Sequence, residues 1–220
     1  MAKPKPMDSK ALQDDDHISG TEEEYHLFIV RYMQFHNIWT LYRDFISGRY
    51  VPSVAGYAPP EDEADWRTPA EFGFTLMFVL YSFFYSLIDD DRSSTNAFRI
   101  WRATYPSEES AIAAVEFRVN PIRPYLKTFR NRVGFHGSRS LKHQESGLDL
   151  FGEHSGSKLM NVMKQFKALN AALIELEMAS RVSSESRIAA ARKMLDQITS
   201  RCSSASTADF DSNELEPIGI

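Results

Sequence analysis

The chain has 220 residues, 43% of them hydrophobic and 25% charged, with 30 acidic against 25 basic side chains and a formal net charge of −5. That length suits one ordinary domain with a sizeable core, and the composition excludes a disordered or collagen-like chain. A single cysteine, Cys202, excludes a disulfide framework or a thiolate zinc cluster within one chain; its place in a Ser-rich stretch argues against a buried nucleophile, and a reducing, cytoplasmic setting is expected.

Residues 1–20 mix Lys, Pro and Asp with no apolar stretch behind them, so they read as a mobile tail rather than a secretory leader. Thr21, with Glu24 three residues on, forms a capping box that opens the first helix. Along it Phe28, Tyr32, Phe35, Trp39, Tyr42 and Ile46 recur at spacings of four and three, an amphipathic stripe closed by Gly48. That spacing marks core rather than a base-stacking surface. Residues 48–66 are rich in Pro, Gly and acids and predict a long loop, a class of segment that often carries function.

A second helix is expected from about Thr68, with Pro69 at its first position, to Asp91. It contains the one membrane-like run, Phe72 to Ile88, whose short length, hydroxyl groups and following acids Asp89, Asp90 and Asp91 suit a buried helix better than a lipid-exposed one. An apolar helix of this kind is hard to bury in one layer of five helices, so an obligate homodimer is expected. Ser94 to Val119 predicts one or two shorter helices broken at Tyr105-Pro106-Ser107, and Asn120-Pro121 predicts a cap and first-position proline opening a helix that ends at Gly137. Residues 137–155 predict a second long loop. The last long helix carries Leu159, Val162, Phe166, Leu169, Leu173 and Leu176, and continues, bent at Ser183-Ser184, through Ile188, Leu195 and Ile198. The sum is an all-α bundle of about five helices in a single domain over 21–200, with a flexible acidic tail over 201–220.

The charge is unevenly spread. From Arg118 to His143 the chain carries Arg118, Arg123, Lys127, Arg130, Arg132, Arg139 and Lys142 and no acid, a local basic surface on an acidic protein for which phosphate is the natural partner. The alternative is solvated surface charge, with these bases paired to Glu61, Asp62, Glu63, Asp65 and Asp89 to Asp91. Within this segment Arg130-Asn131 is followed by His136, joining a fork-shaped phosphate ligand to a group that moves protons near neutral pH. Cleaving RNA without a metal needs a base for the 2′-hydroxyl, an acid for the leaving 5′-oxygen and a cation for the transition-state charge. On an unbroken helix six residues separate two side chains by roughly 240° and 9 Å, so convergence needs a bend at Gly134 or a second copy across a two-fold axis.

The R-N-x-x-x-x-H pattern at a helix end, between long helices in a small all-α domain, resembles the HEPN superfamily. The string FRNRVGFHGSRS resembles its abortive-infection U-type branch. The resemblance covers roughly residues 20–180, and the short motif is its specific part; Gly134 and the bulky Phe135 before the histidine depart from it. It implies a homodimeric, metal-independent endoribonuclease of the toxin or phage-defence kind, needing no cofactor and restrained by an antitoxin or neighbouring regulatory protein. By the same resemblance Arg130 holds and neutralises the phosphate, His136 transfers a proton or orients the phosphate, and Asn131 positions the pair. Arg132, Arg139 and Lys142 are candidate auxiliary phosphate contacts. A non-catalytic HEPN-like module that binds nucleotide, RNA or a partner protein is the alternative.

Other chemistry is weaker. His17, His26, His36, His143 and His154 lack zinc-site spacing, the Asp89 to Asp91 triplet reads as a solvated helix end rather than a Mg²⁺ site, and GEHSGSK at 152–158 lacks the spacing and preceding strand of a phosphate loop.

Overall fold

The computed structural model describes residues 21–47, 67–91, 94–131 and 156–204, and 89% of what it describes is helical, with no strand among those residues. Among the described residues there are seven α-helices where the periodicity predicted about five: α1 (Thr21–Ile46), α2 (Arg67–Ile88), α3 (Ala97–Thr104), α4 (Glu109–Val119), α5 (Arg123–Phe129), α6 (Gly156–Arg181) and α7 (Glu185–Ser204). The extra elements come from local breakers. Pro106 ends α3 and starts a single 3-10 turn, Pro106–Glu108, that leads into α4.

The break at Asn120-Pro121 works differently from the expected cap. Asn120 is helical (φ −52°, ψ −44°) and closes α4, its N–H bonded to the Glu116 carbonyl. Pro121 has no N–H to continue the ladder, and Ile122 then becomes the residue before α5, with Pro124 in that helix's first turn. The expected bend at Ser183-Ser184 is a full stop. Ser183 takes φ +51°, its N–H reaches the Ser180 carbonyl at 3.1 Å, and the Ser184 N–H reaches back to Ala179 at 3.0 Å. This is a Schellman close with serine where glycine is usual. Ser183→Gly is therefore expected to raise stability by about 0.5–1 kcal/mol by removing the Cβ penalty of the left-handed backbone, seen as a higher urea midpoint.

The α1 stripe forms the core as predicted at Phe28, Tyr32, Phe35 and Trp39, while Tyr42 is half-buried and Ile46 is exposed at the helix end. Glu24, expected to cap α1, has its carboxylate on Arg99 of α3. α1 and α2 lie side by side, and Gly73 near the start of α2 sits so close to Phe45 near the end of α1 that a Cβ would fall 2.8 Å from that ring. The two helices thus run antiparallel. α6 and α7 form a helical hairpin against which α4 packs, and α5 lies on α2. At the centre, Phe166 of α6 touches the rings of Tyr32 and Phe35 from α1, Phe84 from α2, and Phe98 and Trp101 from α3.

The second half of α2 is largely buried inside one chain. Leu80, Tyr81, Phe84, Tyr85, Leu87 and Ile88 are each at most 1% exposed, so this half of the helix is covered by its own chain. No helix among the described residues is long and apolar enough to cross a membrane. α7 runs on to Ser204, which corrects the placing of Cys202 in a tail: it is buried, with its Sγ 3.5 Å from Gln165 Oε1, and burial pushes its thiol up against the opposing pull of Arg118. Residues 1–20 and 205–220 and the loop expected over 48–66 lie outside the described residues.

Candidate functional site

The site is built from the helix that carries Arg130. α5 is short, and its inward side chains Leu126 and Phe129 hold it on α2. Phe129 is fully buried, stacked on Phe78 with 4.9 Å between ring centroids and set edge-on to Tyr81 at 5.6 Å. Anchoring the residue immediately before Arg130 fixes where the guanidinium emerges. The helix expected to run to Gly137 keeps α-geometry only as far as Phe129, and residues 132–137 lie outside the described residues. Arg130 and Asn131 form a wider π-type turn, a local geometry often found at functional sites.

Arg130 leans over the end of α2. Its guanidinium carbon lies 5.5 Å from the Tyr85 ring centroid, and Nη1 is 3.6 Å from Asp89 Oδ2, while 42% of the side chain stays open to solvent. Asp89 is held in turn, because its Oδ1 accepts from the Tyr85 hydroxyl and from the Asp91 N–H, both at 3.1 Å. Its carbonyl accepts from Asn96 Nδ2 at 2.9 Å, and Asn96 uses its Oδ1 to cap α3 through the Arg99 N–H. Capture of the Asp91 N–H by the Asp89 side chain explains why α2 ends at Ile88 and not at Asp91. Burial, then the Asp89 carboxylate, pushes the Tyr85 phenol well above its ordinary value, against a smaller opposing pull from Arg130.

This corrects the reading of Asp89 to Asp91 as one solvated helix end. Asp90 and Asp91 are exposed, but Asp89 is buried and engaged on three sides. Asp89→Ala is expected to cost about 1–3 kcal/mol in urea unfolding, since it strands the Tyr85 hydroxyl and removes the carboxylate that holds Arg130.

The predicted basic surface is also thinner than its letters suggest. Arg118 is buried on the face of α4, and Arg123, 17% exposed, turns to Glu116 at 3.7 Å. Of the four described bases in this segment, Lys127 and Arg130 are left at the surface. The position of Arg118 follows from helical register: three and seven residues after Val115 and Ala111, it falls on the same inward stripe. Asn131 is exposed beside Arg130. His136, Arg132, Arg139, Lys142 and the loop expected over 137–155 lie outside the described residues. Among the described residues no three of His, Cys, Asp and Glu gather closely enough to hold a metal ion.

No family model matches the chain, and no curated protein or solved structure matches it significantly. The alternative that pairs the basic stretch with Asp89 to Asp91 holds for Arg130, whose carboxylate partner is Asp89, while the sequence does not foretell the part played by the Tyr85 ring. The four-residue spacing of Tyr85 and Asp89 is a legible local signal, but no spacing joins that pair to a guanidinium on another helix.

Chemically, the arrangement presents a guanidinium at the end of a short helix, held at one edge by a carboxylate and on one face by an aromatic ring. A held, half-exposed arginine loses less freedom on gripping an anion than a mobile one does. The adjoining carboxylate has the opposite effect, since it competes with any anion for the same charge.

Proposed function

We propose that the protein is a metal-independent endoribonuclease of the HEPN type, acting in the cytoplasm as a toxin or phage-defence effector. Arg130, Asn131 and His136 of one copy would meet their symmetry mates in a homodimer cleft. The observation that carries the reading is the seat of Arg130, a half-exposed guanidinium presented by a π-type turn at the end of a helix within an all-helical fold. The R-N-x-x-x-x-H spacing and the acid-free stretch around it supply the rest of the support.

In this reading His136 exchanges protons with the reacting oxygens. The 2′-oxygen loses its proton and bonds to phosphorus, the bond from phosphorus to the 5′-oxygen breaks, and that oxygen takes up a proton. Arg130 neutralises the charge that collects on the phosphoryl oxygens, and Asn131 keeps the pair aligned. Arg132, Arg139 and Lys142 hold flanking phosphates, and an antitoxin or neighbouring regulatory protein restrains the activity.

The pairing of Arg130 with Asp89 favours a second reading, a non-catalytic module that binds RNA, nucleotide or a protein partner. Digestion of mixed RNA in EDTA by the purified chain and by His136→Ala separates the two. Fragments ending in 2′,3′-cyclic phosphate from the wild type alone would support the nuclease; intact RNA from both folded proteins would leave the binding module.

A further inference from the structure

Positive charge also gathers away from Arg130, along the seam between α1 and α6. His36, Trp39 and Arg43 follow at spacings of three and four on α1, so they share one face within about 10 Å along the axis. Lys167 of α6 sets its ammonium 5.1 Å from the centroid of the buried ring of Trp39, the residue that falls between the other two in sequence. Phe166, next to Lys167, packs its ring on those of Tyr32 and Phe35 in α1, so the two helices are locked together at this point. The His36 ring sits 6.3 Å from that of Tyr32, whose hydroxyl is occupied by Asn170.

Of these three basic groups, His36 and Lys167 lack a balancing acid among the described residues, while Arg43 has only its sequence neighbour Asp44. The charges that act on His36 are Lys167 and Arg43, and the charge that acts on Lys167 is Arg43; among the described residues no carboxylate acts on either. Burial, and then that guanidinium, brings the Lys167 ammonium down to about 8, and burial with the same two cations lowers His36. Asp44, the acid beside Arg43, takes its Nε and Nη2 at 3.2 and 3.1 Å on a single oxygen. That pair is half-exposed and joins sequence neighbours, so an incoming anion can readily replace it. Like charges held together at a half-buried seam cost free energy that a bound anion would recover.

We propose that His36, Arg43 and Lys167 form a phosphate-binding site on the α1–α6 seam, with Trp39 fixing the lysine at its centre. Phosphate suits it better than a carboxylate, because it brings more charge and more acceptor oxygens to three donors spread along two turns of helix. The phosphate can come from a small polyphosphate or from the backbone of a nucleic-acid strand. The site is independent of the Arg130 reading.

The test is an NMR titration of His36 in the full chain, assigned through His36→Gln, alone and with pyrophosphate, ATP or a short oligodeoxynucleotide that has no 2′-hydroxyl to cleave. Occupation is expected to raise the His36 pKa by about one unit. A shift with pyrophosphate and ATP marks a small-molecule site, and a shift with the oligonucleotide marks a strand contact. Lys167→Met keeps an apolar stem over Trp39 and is expected to abolish the phosphate effect while raising the His36 pKa in phosphate-free buffer; Arg43→Gln is expected to weaken the effect. An unmoved His36 with all three probes, or the same shift in wild type and Lys167→Met, would overturn the proposal.

Discussion

Phe166→Ala is expected to cost about 3–5 kcal/mol of unfolding free energy, measured as the loss of the urea midpoint at unchanged m-value. The ring is fully buried and touches Tyr32, Phe35, Phe84, Phe98 and Trp101 with centroids 4.8 to 6.5 Å apart. Truncation removes the transfer free energy of a benzyl group and leaves a cavity that four helices meet around. These neighbours are themselves rings stacked on other rings, so the site cannot collapse by turning one flexible side chain. Edge-to-face pairs add roughly 0.5–1.5 kcal/mol each beyond area burial, which places the loss toward the upper end of that range. Since domains of this size are stable by only about 5–15 kcal/mol, the variant should be close to unfolding at moderate temperature. Phe166→Leu, which keeps most of the volume, should stay well folded, and equal losses in both variants would show that the ring contacts do not matter.

On the proposed nuclease function, Arg130→Ala and His136→Ala are expected to leave the fold intact and reduce RNA cleavage in EDTA by about 10²–10³-fold and 10²–10⁴-fold respectively. The arginine figure follows from removing one preorganised donor to the phosphoryl charge, and the histidine figure from removing one proton-transfer group. Stability separates this from a structural role. The Arg130 side chain is 42% exposed, so loss of its ion pair with Asp89 should change stability by no more than roughly 1 kcal/mol. Arg130→Lys sharpens the test, because lysine keeps the charge but not the planar fork; activity restored by lysine would mean that charge alone is required. Wild-type protein that binds RNA and never cuts it would move the assignment to the binding module.

Much of the core is legible in the spacing of apolar residues. Phe28, Tyr32, Phe35 and Trp39 on α1, and Leu159, Val162, Phe166, Leu169, Leu173 and Leu176 on α6, are buried where periodicity placed them. The failures share a cause. The serines around Cys202 suggest a tail, yet it falls on the same inward stripe as Leu195 and Ile198, and α7 carries it into the core. Composition alone marks Arg118 and Arg123 as surface charge, yet register turns one inward and Glu116 takes the other. Asp89 was read with Asp90 and Asp91 as one acidic end, although a single turn of the chain separates a buried carboxylate from two exposed ones.

By itself the sequence determined which faces are apolar, and so which helices form and where most of them stop. Those are local properties, set by 3.6 residues per turn and by prolines that cannot donate. The tertiary structure alone decided that Phe166 is the meeting point of α1, α2 and α3, that Asp89 and Tyr85 hold Arg130, and that Lys167 sits over Trp39. Each of these joins residues far apart in the chain through the packing of one helix on another. Their attraction or repulsion acts through space, and the order of the letters carries no mark of it.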